Sequence, residues 1–459
     1  MRLTQLYLQN YRCFSQLTVD LHPKLTVLIA PNGAGKTTLL DAARVALWPF
    51  VKGFDLGSQT GKAANIHLRD VRLAQQPSGN MEAQLPCRIL TTGQWSPDAA
   101  EVAWMQTRDS IRASTKTQGD TCTRALTAHA EHLQRQVREG QTLVTLPLVS
   151  YLGTSRLWFE GRFTSNAEDT TLDTNEYSRT SGYLNCLAYS SSFKAFAAWY
   201  IWIYRAYLSS QIKAFQRHVP LDDTGQRFAQ IVEVIKTAVD ALVKHATGWH
   251  SLEYSEEHHQ QLVMQHAQHG FMPVDMLSDG LRNTIAMVAD LAFRAYKLNP
   301  HLGARAALET PGVALIDEVD MFLHPSWQQS ILPSLCAAFP QVQFIVSTHS
   351  PQVLTTVASE SVRILRDGKV YAAPAGTEGA EPGRLLTTAL GLQSVRPPHS
   401  PATQELLAYL ALVDKDQWNS PEALALRARL DARYQGQEPA LLEADLLIEN
   451  RKWELGENA

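Results

Sequence analysis

The chain lacks a long apolar run. In its 459 residues the most apolar stretch is Phe193–Leu208, and Lys194 and Arg205 interrupt it. What remains is shorter than the roughly 20 residues that cross a bilayer, so the segment reads as a buried helix and no membrane partner is expected. Cysteine is scarce as well. Cys13, Cys87, Cys122, Cys186 and Cys336 lie far apart, form no CxxC pair and are odd in number. A reduced, cytoplasmic setting is the expectation. A basic excess is missing: 41 Lys and Arg stand against 45 Asp and Glu, a net charge of −4. That excludes a globally basic nucleic-acid binder and leaves only a local patch for contact with DNA or RNA. No basic stretch followed by an apolar run opens the chain, so no secretory signal is expected. Neither an internal repeat nor sustained heptads occur, which argues against a long-armed coiled-coil clamp.

What is present suits a globular protein. Hydrophobic residues make up 45% and charged residues 19%, enough for a core in two or three domain-sized units. Leu17, Val19 and Leu21 alternate with polar residues, and Leu25, Val27, Leu28 and Ile29 form a short buried strand. After the loop Ala30–Lys36, Thr37–Trp48 is apolar at helical spacing. Helices are expected at 121–140, 193–218, 225–247, 280–298 and 326–338. Buried strands are expected at Leu143–Tyr151, Val313–Ile316 and Val342–Val346, and a hairpin at Leu252–Tyr254 with Leu262–Met264. Residues 160–182 read as a polar surface loop. The charge divides unevenly: residues 404–459 hold 6 basic and 11 acidic side chains, so the negative balance sits in a helical tail.

The strongest local signal is Ala30-Pro31-Asn32-Gly33-Ala34-Gly35-Lys36-Thr37 between a buried strand and a helix. That is the context of a phosphate-binding loop: small residues let backbone N–H groups curl around phosphate oxygens, and the helix N-terminus adds a favourable dipole. Lys36 would reach the β- and γ-phosphates and the Thr37 hydroxyl would hold Mg²⁺. The first position of the pattern is Ala30 instead of glycine, which removes no ligand. The second signal is Gly312-Val313-Ala314-Leu315-Ile316-Asp317-Glu318, a buried strand ending in two carboxylates. Asp317 can stand beside Mg²⁺, and Glu318 can polarise an attacking water.

With these motifs the sequence resembles an ABC-type ATPase of the RecF/SMC/OLD class. Leu277-Ser278-Asp279-Gly280-Leu281-Arg282 is similar to the ABC signature, with Asp279 where transporters usually carry glycine. The resemblance implies that Ser278 and the Gly280 amide contact the γ-phosphate held by another protomer. It makes Asp320, in Val319-Asp320-Met321-Phe322-Leu323-His324-Pro325, a contact across the dimer. It places His349, in Ser347-Thr348-His349-Ser350-Pro351, near the γ-phosphate, and it adds Asn32, Gly33, Ala34, Gly35 and Thr38 to the nucleotide contacts. The Q-loop is open among Gln84, the Asp70–Arg72 region and Arg156.

The fold implied is α/β: an ABC-type P-loop ATPase head with a mixed sheet, a largely helical insertion and a C-terminal helical extension. The expected division is an N-terminal lobe at 1–100, a mostly helical insertion at 101–250, a C-terminal lobe at 251–371, a linker at 372–403 and an acidic helical tail at 404–459. Tyr183-Leu184-Asn185-Cys186-Leu187, Leu323-His324-Pro325-Ser326-Trp327-Gln328 and the tail resemble PtuA-type ATPases of Septu and retron anti-phage systems. That implies ATP and Mg²⁺ as cofactors and an ATP-sandwiched dimer or higher oligomer. It also implies a separate HNH nuclease of the PtuB kind as partner and, in retrons, a reverse transcriptase with its msDNA. The OLD nucleases carry a Toprim metal domain after the ATPase; here 110 residues follow His349, and Asp414-Lys415-Asp416 reads as a solvated helix face. The alternative is a RecF-like DNA-repair ATPase acting on DNA directly, and a scaffold that binds ATP without turnover is a third reading.

Three further clusters stand out in the sequence. His258, His259, His266 and His269 lack cage-like spacing and read as a solvated hairpin face. Arg108, Arg112, Lys116, Arg124, Arg135 and Arg138 read as a solvated helix face, with nucleic-acid contact as the alternative. Leu406, Leu407, Leu410, Leu424, Leu426 and Leu430 on the acidic tail would pack on the ATPase core or dock a basic partner.

Overall fold

The computed structural model describes residues 1–58, 63–96, 99–154, 178–189 and 193–454, without the side chains of 193–195. Arg156 and residues 160–177 of the expected surface loop lie outside the described residues.

Two sheets carry the head. The first is antiparallel, in the order β2-β1-β6-β7-β8, built from β1 (Arg2–Tyr11), β2 (Phe14–Asp20), β6 (Cys87–Gln94), β7 (Val102–Arg108) and β8 (Gln118–Gly119). A small ribbon, β4 (Leu73–Gln75) with β5 (Met81–Ala83), precedes β6. The second sheet runs β16-β15-β3-β14-β13-β9. Its members are β3 (Leu25–Ile29), β9 (Leu148–Leu152), β13 (Gly312–Ile316), β14 (Val342–Thr348), β15 (Val362–Arg366) and β16 (Lys369–Ala372). All neighbours pair in parallel except β16, so the sheet is mixed. Strands β9, β13 and β14 are buried at every position, as expected of parallel strands covered on both faces. The side chain of Gln343 ties the two sheets: it accepts from Leu3 N at 2.8 Å and donates to Leu3 O at 2.7 Å.

Helix α1 (Lys36–Lys52) follows the loop after β3 and is buried on nearly all sides. A short α2 (Asp55–Ser58) leads away from it. Helix α3 (Thr121–Arg138) starts where the Asp120 carboxylate accepts from Thr123 N. Helices α4 (Phe193–Arg217) and α5 (Asp223–Thr247) form an antiparallel pair, and Gly248 closes α5 in the left-handed region at φ 78°. The expected hairpin is present as β10 (His250–Ser255) and β11 (Gln261–His266), joined by β12 (Gly270–Pro273). Helix α6 (Asp279–Leu298) is amphipathic and heavily buried, and α7 (Ala306–Glu309) precedes β13.

Three expectations change. The strand expected at Leu143–Tyr151 begins at Leu148, because Pro147 has no N–H for a ladder and the segment before it is held by Asn299 instead. The helix expected at 326–338 is broken into α8 (Pro325–Gln328) and α9 (Ile331–Ala338). Pro333 would strike the carbonyl four residues earlier in a continuous helix, so the break falls before it, leaving Pro333 in a first turn that tolerates it. Residues 101–152 of the expected helical insertion contribute β7, β8 and β9, so its helical part is α3 and the α4–α5 pair.

Helix α10 (Pro351–Leu354) follows β14, and α11 (Pro382–Thr388) lies in the stretch expected as linker. The chain divides into two compact units, Met1–Leu385 and Leu386–Ala459. The second holds α12 (Pro401–Asp414), α13 (Pro421–Tyr434) and α14 (Pro439–Glu454). Leu406, Leu426 and Leu430 bury with Tyr409, Trp418 and Leu441 in a core of this unit's own, and Leu410 packs against it; Leu407 and Leu424 are exposed. Among the described residues no helix is long and apolar enough to cross a membrane.

Candidate active site

The site forms where the second sheet's parallel strands end together. Ile316 on β13 pairs with Val346 on β14, and Ile29 on β3 pairs with Thr348. Loops leaving the carboxyl ends of adjacent parallel strands therefore emerge side by side, the usual place for a ligand in an α/β sheet. They carry Ala30–Lys36, Asp317–Glu318 and Ser347–His349.

Gly33 and Gly35 adopt φ 80° and 103°, which turns the loop back over the start of α1. A Cβ on Gly35 would lie 2.4 Å from the Phe14 ring and 2.9 Å from Cys13 Sγ, so the loop is pressed against the β1–β2 turn. Pro31, Asn32 and Gly33 are exposed, Ala34 is half-buried, and Lys36 and Thr38 are buried. Lys36 Nζ donates to Ala30 O at 2.9 Å across the hollow of the loop. Burial lowers its pKa, while Asp317, Glu318 and Asp320 pull the other way.

The carboxylate of Asp317 is held on both oxygens. Thr37 Oγ1 donates to Oδ2 at 2.9 Å, and Ser347 Oγ donates to Oδ1. The Ser347 hydroxyl also accepts from Glu318 N at 2.8 Å. Glu318 is half-buried and takes φ 49°, an uncommon conformation for a side chain with a Cβ and one that clusters at functional sites. His349 senses Lys36, Glu318, Asp320 and Asp317. Burial lowers its pKa and Lys36 reinforces that, so the neutral ring is favoured. Thr37 Oγ1 and Asp317 form a pair of hard oxygen donors fit for Mg²⁺, and the left-handed glycine loop with its buried lysine fits a polyphosphate.

The signature segment is built separately. Ser278 caps α6, its hydroxyl accepting from Leu281 N. Ser278 and Asp279 are exposed, and Asp279 pairs with Arg282. Gly280 lies under the segment after Glu318: a Cβ there would meet Phe322 O at 2.5 Å. Asn283 Nδ2 donates to Met321 O at 3.2 Å and fastens the same contact. Among the described residues Asp320 Oδ1 is buried without a hydrogen-bond partner. Ser278, among the described residues, bonds within α6 and not to Lys36, Thr37 or Asp317.

Sequence reasoning missed three parts. Ser347, the first residue of the histidine segment, bridges Asp317 and Glu318. Gln328 joins two loops, donating to Leu323 O at 2.9 Å and accepting from Ser350 Oγ at 2.7 Å. Arg12 in the β1–β2 turn reaches Asp41 on α1 at 2.6 Å and Asp70 at 2.8 Å. An arginine in a tight non-glycine turn and an aspartate inside an apolar helix were the available signals. Of the Q-loop positions, Asp70 is engaged by Arg12 and caps His67 N, and Gln84 bonds locally to Glu82 O.

The segment Tyr183–Leu187 is fixed from several sides. Arg294, fully buried, donates to Gly182 O at 2.6 Å and pairs with Asp290 at 2.8 Å. Tyr183 OH donates to Pro147 O, and Arg44 donates to Leu187 O. The segment thus braces β9 from outside the nucleotide site. The histidines of the β11–β12 turn pack on an aromatic: His269 stacks on Trp249 at 6.0 Å and His266 lies tilted 5.0 Å from it.

The chain is similar to several known proteins. An AAA-domain family model matches residues 5–220, and a second AAA-domain model, whose description names the AbiEii toxin of a type IV toxin–antitoxin system, matches 142–355. A protein of Escherichia coli named "Retron Ec83 probable ATPase" is 26% identical over 99% of this chain and 88% of its own length. "Retron Vc95 probable ATPase" of Vibrio cholerae is 50% identical over 20% of this chain and 17% of its own. The Septu protein PtuA of Bacillus mycoides is 32% identical over 22% of this chain and 13% of its own. Among solved structures, an SMC head bound to the C-winged helix domain of ScpA is 14% identical, with a TM-score of 0.46 over 81% of this chain and 97% of that one. The relatives, the matched AAA domains and the strand-edge geometry agree on an ABC-type P-loop ATPase, similar to the ATPases of retron and Septu systems.

Proposed function

We propose that two copies of this chain close face to face around ATP and that the closed state controls a separate nuclease. The observation that carries the reading is the junction of Thr37, Asp317, Ser347 and Glu318 at one sheet edge. In this reading Lys36 leaves Ala30 O for the β- and γ-phosphate oxygens. The backbone amides of Asn32, Gly33, Ala34, Gly35, Thr37 and Thr38 take the remaining phosphate oxygens. Mg²⁺, held by Thr37 and Asp317, supplies charge neutralisation on the phosphates when bound. Glu318 orients and deprotonates the water that attacks in line, and the neutral ring of His349 contacts the γ-phosphate. Ser278 and the Gly280 amide complete the pocket of the other copy. The buried, unpartnered Asp320 Oδ1 and the exposed start of α6 support contacts supplied in trans.

The nuclease partner proposed is an HNH enzyme of the PtuB kind, with a reverse transcriptase and its msDNA where the system is a retron; the setting proposed is the cytoplasm. The test has two arms. Glu318→Gln should bind ATP, lose turnover and accumulate as a closed dimer by analytical ultracentrifugation; normal steady-state phosphate release from this variant contradicts the role given to Glu318. Purification from the native operon should bring down the nuclease, whereas DNA-stimulated hydrolysis by the chain alone favours the repair reading.

A further inference from the structure

Helix α4 is unusual in composition. Its 25 residues contain Lys194, Arg205, Lys213 and Arg217, no Asp or Glu, and eight aromatic residues. Part of this aromatic set is not consumed by the core. Trp199 and Tyr296 form the buried floor, and Trp202 and Phe228 the exposed and half-buried rim, of a cleft between α4, α5 and the C-terminal end of α6. Trp202 meets Phe228 edge-on at 5.8 Å, and Lys297 Nζ stands 5.8 Å from the Trp199 ring. Arg227 and Lys297 stand in its wall, and among the described residues that wall carries no carboxylate.

A second hollow adjoins the first, sharing Thr224 and Phe228 with it. Lys213 and Arg217 line it. Its one acidic residue, Asp222, has a carboxylate oxygen engaged by Gly225 N at 2.7 Å as the cap of α5. Together the two hollows make a groove with an aromatic pocket at one end and exposed cations at the other.

We propose that this groove binds single-stranded nucleic acid, one base entering the Trp199–Trp202–Phe228 pocket while Arg227, Lys213 and Arg217 track the phosphates. Aromatic faces stack on any base and cations meet the backbone, the combination that holds single strands without reading sequence. Charge complementarity selects this occupant over an apolar peptide. A duplex keeps its bases stacked inside and presents none to such a pocket. The basic stretch 108–138 is a poorer candidate: Arg108 is buried and donates to Ile66 O, Thr115 O and Arg112 O, and Arg138 pairs with Asp55. The inference goes beyond the nuclease reading and does not rest on it.

The experiment is fluorescence anisotropy of a labelled oligo-dT of about 12 nucleotides, within the span such grooves cover, titrated with the full chain. Binding of a fluorescent ATP analogue to each variant is the check of folding. Wild type should bind oligo-dT more tightly than a duplex of the same length, with affinity falling as salt rises. Trp202→Ala and Arg227→Glu should each weaken oligo-dT binding about tenfold or more, and Lys213→Glu with Arg217→Glu should do the same, with ATP-analogue binding unchanged. The proposal is overturned by equal affinity for duplex, by wild-type affinity in these variants, or by no binding to wild type. It is overturned equally if free dTMP binds the groove while oligo-dT does not. Loss of ATP-analogue binding in wild type would instead count against the ATPase reading, so the two failures are distinguishable.

Discussion

The strand-edge pocket and the α4–α5 groove are built by opposite means. In the pocket the Asp317 carboxylate is held by two hydroxyls, the Lys36 ammonium by a carbonyl, and the Glu318 backbone by Ser347. In the groove the rim residues Trp202 and Arg227 are exposed on helix faces. Chemistry at a phosphorus centre needs atoms fixed before the substrate arrives, because preorganised dipoles then cost no reorganisation during reaction. A surface that stacks bases gains from tolerance instead.

Lys36→Ala sharpens this contrast most. It should abolish ATP binding in an equilibrium filter assay while leaving oligo-dT binding intact; loss of both would break the separation of the two sites. Next comes Glu318→Gln, expected to lower the phosphate-release rate at least about 100-fold, the scale of a lost general base. Arg294→Ala tests the frame under both regions. It leaves the buried Asp290 without its guanidinium and should destabilise the protein by about 3–5 kcal/mol, read by denaturant unfolding. Gly280→Ala should cost about 1–3 kcal/mol through its collision with Phe322 O, measured the same way. The smallest effect concerns pH. Burial, with Lys36 second, holds the His349 pKa below the ordinary 6.5. Because the folded state disfavours the protonated ring, the acid limb it contributes to a pH–rate profile should begin below pH 6.5, and the stability it contributes should fall as the solution is acidified past that point. His349→Gln should remove that limb.

The pocket was legible because its parts are short contiguous runs. Ala30–Thr37 and Val313–Glu318 each announce strand, loop and charge within a few residues, and parallel pairing brings them together. The Arg12–Asp41–Asp70 cluster was not legible, since a turn, a helix and a 3₁₀ segment supply one residue each. The groove escaped for a related reason. Phe193–Leu208 is apolar enough to read as core, and only the packing of α5 and α6 shows which aromatic faces remain uncovered. The tail's leucines were correctly placed on helices, but whether three short helices can bury them among themselves depends on Tyr409 and Trp418, whose directions no periodicity reveals.

The close seat of Gly280 beneath the Phe322 carbonyl has a mechanical result. Two backbones at that separation, fastened again by Asn283 to Met321, move as one piece. Any shift of the residues just downstream of Glu318 when a phosphate departs is therefore handed to the head of the signature helix. In the proposed pair each copy would feel the chemistry of its own chamber at the edge it lends to its neighbour, and the two chambers would be coupled through that edge.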